Sequence, residues 1–255
     1  MVTGILSEMA QADFREFKPE VAVLPVGSTE VHGVHLPYGC DARNLDYLAR
    51  AAVKAANEQG ARALMLPTLA YGIDTNLMEF PYTVTLSART LMSVVTELVD
   101  SMAHHGVRKF LLVNGHGGNT SVLETVCREM SGGPAFVALV NWWMMVSDVV
   151  QEVIETAGDH ACEFETSVCL AIEPGLVRMD LAGESPTRKS RLESLERYGG
   201  KFSRAWHHYT VNGGTGHPEK ATREKGQRIV DAAVARLKEV ILELSRTQYD
   251  GRFPF

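Results

Sequence analysis

Three short segments of the chain concentrate the side chains that bind metal ions and move protons. The first reads Gly27-Ser-Thr-Glu30-Val-His32-Gly-Val-His35-Leu-Pro-Tyr-Gly-Cys-Asp41, the second Asn114-Gly-His116-Gly-Gly-Asn119, and the third Asp159-His160-Ala-Cys-Glu163-Phe-Glu165-Thr-Ser167. Glu30 and His32 are two apart, so an extended segment points both to one side. Gly33 then permits a turn that a side chain would obstruct. Mixed imidazole and carboxylate ligands suit zinc, manganese or iron, and a bridging carboxylate such as Asp41 suits a pair of ions. His116 is flanked by glycines that let the backbone come close, and Asn119 is placed to cap the following helix. Singly, each segment has a bland reading. An E-x-H pair is commonly a hydrogen-bonded core or surface pair, a Gly-rich turn commonly binds phosphate, and His160 with Glu163 can be a solvated helix start. Together, five ligand-type residues in three loops point to a metal site.

The elements around those loops must place them at one edge of a sheet. Apolar runs at Val21–Val26, Ala63–Leu66, Lys109–Val113 and Ala135–Val140 read as strands. Between and after them, helical spacing predicts helices over Asn44–Gln59, Ser87–His105 with Ser87 as cap, from Asn119 through Met130, Met144–Thr156, Phe164–Ile172 and Glu219–Ser245. Leu176-Val177 reads as a short strand, and 180–215 as a polar excursion. Strands alternating with helices predict an α/β fold, a mostly parallel central sheet with helices on both faces, in a single domain over 1–255. In such a sheet reactive residues gather beyond the carboxyl ends of the strands, and the first two ligand segments directly follow strands.

Composition narrows the function classes. With 25 Lys+Arg against 31 Asp+Glu, 45% hydrophobic and 22% charged residues, the chain is globular rather than disordered. No basic stripe is available, so nucleic acid is not an expected partner. The charge-free run Met130–Ser147 is broken by Gly132-Gly133-Pro134, so no membrane span is expected. Cys40, Cys127, Cys162 and Cys169 contain no C-x-x-C pair, which favours reduced thiols. A start without a basic, then apolar, leader makes the expected location cytoplasmic.

The three segments together resemble the creatininase (creatinine amidohydrolase) family. The matching stretches are Pro25 through Pro37 with Asp41, Asn114 through Asn119, and His160-Ala-Cys-Glu163-Phe-Glu165-Thr-Ser167. Tyr71-Gly72 with Phe80-Pro-Tyr-Thr83, and Gly216-His-Pro218 followed by Ala221 through Gly226, match more weakly. The resemblance implies a three-layer α/β/α fold, a two-metal site hydrolysing C–N bonds of cyclic or linear amides, and homo-oligomers, often hexamers. By matching position it implies Glu30, Asp41 and His116 on one ion, and His32, Asp41 and Glu163 on the other, with Asp41 bridging. Creatininase itself draws one carboxylate ligand from an N-G-H-x-E-N pattern. Here Gly118 stands at that position, and Glu163 stands where creatininase has an apolar residue. The ligand is thus expected to have moved between loops, as in the deformylase-like branch, and creatinine is not the expected substrate. Cys162 and Tyr82 replace glycines of the H-A-G-E and F-P-G-T patterns, and Asp74 through Met78 departs from an S-x-E-H type of loop. Tyr82 and Asp74 are therefore expected on the substrate side, and Trp143, in a Trp-Trp pair directly after a strand, is expected to wall the pocket.

The resulting expectation is a hydrolase in which two divalent ions (zinc, manganese or iron) activate water against the carbonyl of a small-molecule amide. His160 would shuttle a proton to the leaving group, and Glu165 would orient a ligand or nearby backbone from behind. Two alternatives share the residues: opening of a keto-inositol ring at a C–C bond, and processing of a peptide as a maturation factor.

Overall fold

The computed structural model describes residues 3–255. In chain order the main elements are β1 (Val21–Val26), α1 (Cys40–Glu58), β2 (Ala63–Met65), α2 (Ala88–His104), β3 (Lys109–Asn114), α3 (Thr120–Glu129) and β4 (Phe136–Asn141). There follow α4 (Trp142–Met145), α5 (Ser147–Val153), α6 (Glu163–Ile172), α7 (Glu193–Arg197), α8 (Trp206–Tyr209) and α9 (Arg223–Arg246). The four strands pair in parallel in the order β2-β1-β3-β4. Every residue of β1 and β3 is buried, as expected of parallel strands covered on both faces.

The alternation of side chains along β1 divides the core. Val21 and Val23 join Leu111 and Val113 under α1 and α9, with Leu45, Leu48, Ile229 and Leu237 among the buried partners. Ala22, Leu24 and Val26 join Phe110 and Leu112 under α2 and α3, against Leu91, Val95, Val99 and Leu123. This period-two split makes the three α/β/α layers. The chain winds from β1 outward to β2 and then returns to add β3 on the other side. The crevice between β1 and β3 is therefore the topological switch point, where loops diverge and ligands bind.

Some boundaries differ from expectation, and each difference has a cause. Helix α1 begins at Cys40, four residues before its apolar periodicity starts, so Asp41 lies in the first turn, where the helix dipole favours a carboxylate. Ser87 accepts from the Thr90 amide at 3.1 Å, the expected cap. Asn119 makes no cap bond, because its side chain is used elsewhere. The helix expected over Met144–Thr156 breaks at Val146 and ends at Val153. Leu176 ends a 3-10 turn rather than a strand, since Pro174 fixes a helical φ and supplies no donor to a ladder. In the excursion, antiparallel bridges Ser185–Gly216 and Thr187–Thr210 close a loop that carries α7 and α8. No helix among the described residues is long and apolar enough to cross a membrane.

Candidate metal centre

Beyond the ends of β1 and β3, Glu30, His32, Asp41, Asp74, His116 and His160 converge in the interior. Three sets have mutually close ligand atoms, all within 4.8 Å: Glu30, His32 and His160; Glu30, Asp74 and His116; and His32, Cys40 and Asp41. Glu30 belongs to two sets and His32 to two, so the sets form one connected cluster. Asp41 Oδ2 lies 3.2 Å from His116 Nδ1 and Asp41 Oδ1 lies 3.1 Å from His32 Nε2, which puts the two carboxylate oxygens on different histidines.

The backbone sets the tautomer of all three rings. His32 Nδ1 lies 3.2 Å from the Glu30 carbonyl, His116 Nε2 lies 3.1 Å from the Ile73 carbonyl, and His160 Nε2 lies 2.7 Å from the Val31 carbonyl. A carbonyl only accepts, so each of those nitrogens donates its proton there. The remaining nitrogen of each neutral ring therefore turns its lone pair into the cluster, the arrangement seen around metal-binding histidines. In the neutral ring His116 Nδ1 faces Glu30 Oε1 at 2.8 Å as acceptor against acceptor, a contact that a proton or a cation between them must relieve. Glu30 Oε1 and Oε2, Asp41 Oδ2 and Asp74 Oδ1 are buried without any hydrogen-bond partner among the described residues. Buried carboxylate oxygens without donors are strongly disfavoured unless a cation faces them. The donor set fits divalent ions of the zinc, manganese or iron type.

The titration behaviour has the same origin. Burial pushes the Glu30 carboxyl up. For Asp41, burial is outweighed by His32 and His116, which hold it well below the usual carboxylate range. Burial opposes charge on His32 and His116, yet Asp41 and Glu30 raise both well above an ordinary imidazole. Burial lowers His160 and pushes Glu165 up to about 7. Protons and divalent cations would thus compete for the same inward lone pairs.

Several sequence expectations need correcting. Glu163 does not reach the cluster. Its carboxylate accepts from Lys225 Nζ at 2.6 Å, Thr156 Oγ1 at 2.6 Å and the Thr156 amide at 2.9 Å. Residues two apart on a helix differ by about 200°, so Glu165 is the one facing inward. Glu165 accepts from the Ala161 amide, and its Oε2 is 4.0 Å from His160 Nδ1. Asp74 is fully buried rather than lining an open face: it accepts from Ser28 Oγ at 2.6 Å and lies 3.1 Å from His116 Nε2. It thereby supplies a carboxylate beside Gly118, where a Cβ would collide with the Ile73 carbonyl and His116 Nε2. Trp143 packs against the α1/α9 core. Tyr82 is 88% exposed, at φ +64°, and belongs to none of the three ligand sets. Cys162 is buried, with its thiol pushed up to about 12 by burial, and joins none of the three sets.

Other contributors carry little signal in sequence. Asn119 ties three loops together: its Nδ2 donates to the Gly27 carbonyl at 3.0 Å and its Oδ1 accepts from the Ile73 amide at 3.0 Å. Trp206, from α8, meets the His160 ring edge-on at 4.9 Å. It joins Val31, Leu77, Tyr38 and Phe80 in a small apolar wall. Only the E-x-H, G-H-G-G and H-A-x-E-x-E spacings pointed to the centre; Ser28, Asn119 and Trp206 come from residue types that are common everywhere.

Comparison with known proteins agrees with this geometry. The family model for creatininase (creatinine amidohydrolase) matches residues 7–241. Creatinine amidohydrolase of Pseudomonas putida is 27% identical over 92% of this chain and 96% of its own length. The mycofactocin precursor peptide peptidase of Mycobacterium ulcerans is 31% identical over 92% of this chain and 91% of its own. A solved structure from Bacteroides fragilis superposes with a TM-score of 0.87 at 31% identity, over 98% of this chain and 100% of that one. With its buried carboxylate–imidazole cluster at the switch point of a parallel sheet, the chain belongs to the creatininase family of metal-dependent, amidohydrolase-like hydrolases.

Proposed function

We propose that this enzyme hydrolyses the C–N bond of a small cyclic or linear amide with a pair of divalent ions. The observation that carries the reading is the set of partnerless carboxylate oxygens on Glu30 and Asp41, set against inward histidine lone pairs, with Asp74 in the same ligand cluster. Glu30, Asp74 and His116 would hold one ion, and His32 with Asp41 the other, with Asp41 between them. Such ions, when bound, polarise a carbonyl and lower the pKa of water toward neutrality.

The chain's own residues supply the rest. His160, neutral because of burial and with Nε2 fixed on the Val31 carbonyl, presents Nδ1 to accept a proton and pass it to the leaving nitrogen. Glu165 fixes the Ala161 amide and so the direction in which His160 enters. Ala161 sits at φ +47°, and this carboxylate bond offsets the cost of that left-handed residue. Trp206 excludes water from one flank of the imidazole.

A peptide amide is a second reading of the same chemistry, favoured by the 31% identity to the mycofactocin peptidase. The proposal also carries zinc, manganese or iron as the ions, a cytoplasmic location, and a homohexamer without nucleic-acid or membrane partners. The test is to assay metal-loaded protein against lactams, formamides, short peptides and keto-inositols, beside His116→Ala and Asp41→Ala. C–N cleavage is expected, lost together with bound metal in both variants. Full metal content and turnover in either variant, or cleavage of the keto-inositol alone, overturns it.

A further inference from the structure

Arg204 differs from the other arginines that have no carboxylate partner among the described residues: it is half-buried, whereas they are exposed. Arg43, Arg50, Arg62, Arg178, Arg228 and Arg236 each pair with a carboxylate. Arg204 is half-buried, yet no carboxylate lies within ion-pair distance of it among the described residues. Its guanidinium carbon rests 4.1 Å from the Tyr209 ring centroid and 5.2 Å from that of Trp206. Trp206 in turn meets the His160 ring edge-on. One indole therefore separates the cation from the proposed proton shuttle.

Its surroundings are shaped to keep it there. Arg188 braces the same turn, donating through Nη1 to the carbonyls of His207 and His208 at 3.2 and 3.1 Å. Between 188 and 204 the chain carries six basic residues (Arg188, Lys189, Arg191, Arg197, Lys201 and Arg204) and two acidic ones, Glu193 and Glu196, within a protein of net charge −6. Stacking on two aromatic faces immobilises a guanidinium without using its N–H donors. Those donors remain free for an oxyanion, which arginine grips in a fork.

We propose that Arg204 is the substrate's anion-binding residue, selecting amides that carry a carboxylate or phosphate group beyond the scissile bond. The inference rests on the amide-hydrolase reading for which bond is cut, but binding alone reads the grip.

Calorimetry on metal-loaded protein tests it with three matched probes: N-acetylglycine for carboxylate, N-acetyl-O-phosphoethanolamine for phosphate, and N-acetylethanolamine as the neutral member. At least one anionic probe is expected to bind about tenfold or more tighter than the neutral one. The one preferred names the group, and equal preference names any oxyanion. Arg204→Met keeps the apolar stem on Trp206 and Tyr209 and should abolish the preference, with metal content and thermal midpoint retained. Arg204→Lys, which keeps the charge but not the fork, should retain only part of it and serves if the Met variant does not fold. No preference in the wild type, or a preference intact in both variants, overturns the proposal. Failure to cleave any amide would overturn the hydrolytic reading and leave the binding result standing on its own.

Discussion

Glu163 and Glu165 share the first turns of α6 and face opposite ways: Glu165 toward His160, Glu163 toward Lys225. They are two positions apart, so a shift of half a helical turn decides which carboxylate serves the centre. Glu165→Gln is expected to lower turnover at least tenfold, with His160 disoriented. Glu163→Gln should retain bound metal but lose about 2–4 kcal/mol of stability, since Lys225 keeps its charge with fewer acceptors. Metal analysis and urea denaturation of the two variants, side by side, would check both. Metal loss confined to Glu163→Gln would reverse the assignment.

The same pair fixes an acid limb. Burial pushes the Glu163 carboxyl up, but hydrogen bonds from Lys225, Thr156 and the Glu155 amide hold it below the usual range. A depressed carboxylate contributes stability that is complete above its unfolded pKa and is lost as pH falls through the folded one. The stability gap between wild type and Glu163→Gln should be full at pH 7 and shrink below about pH 4. Denaturation midpoints measured from pH 7 to pH 3 give the comparison; a gap that widens on acidification would contradict it.

Metal binding should release protons. His32 and His116 are raised well above an ordinary imidazole by their carboxylate neighbours, and a ligand nitrogen must be unprotonated. Zinc added to metal-free protein at pH 7 is expected to expel about two protons per pair of ions. Apparent affinity should fall as pH drops from 8 to 6. Titrations in two buffers of different ionisation enthalpy count the protons, and a release of zero would show that the rings are neutral beforehand.

Gly117 and Gly118 form a matched control. A Cβ on Gly118 meets the Ile73 carbonyl and His116 Nε2, whereas one on Gly117 has nothing within 4 Å. Gly118→Ala is expected to cost more than about 2 kcal/mol and to displace His116, lowering metal content. Gly117→Ala should change stability by less than about 1 kcal/mol. Comparable losses in both would show that the loop, not the collision, is responsible.

Tyr82 holds φ +64° with its ring in solvent, a backbone conformation that disfavours a side chain by about 1–2 kcal/mol. Its neighbours Pro81 and Thr83 bond Tyr38 and Val31 of the loop that carries Glu30 and His32, so strain retained here motivates a test for a contact made with a ligand. Tyr82→Gly should leave the thermal midpoint no lower than wild type while KM for the substrate rises. An unchanged KM would make the ring irrelevant to binding.

The frame of the molecule was readable because its signals are periodic. Val21–Val26 is bounded as expected, and α2 lies within a residue of its expected ends, since apolar spacing and caps act locally. The loop residues that face the centre were readable only as types. Glu30, His32, Asp41 and His116 converge, but the sequence does not contain the rotation of α6 that chooses Glu165 over Glu163. That rotation follows from α6 packing on α9, a contact between residues sixty positions apart. Asp74 is expected on the substrate side because its loop departs from the family pattern; its burial depends on Ser28 and His116, both distant in sequence.

The chain's outward and return winding around β1 and β3 separates two inheritances. Most of the cradle for cations follows the two innermost strands, Glu30 and His32 after β1 and His116 after β3, where any shift would disturb the whole core. Tyr82, Arg204 and Trp206 hang from excursions with no strand beneath them. Successive generations of this scaffold can therefore trade one substrate for another by rewriting its fringe, while most of the inorganic heart stays as it was.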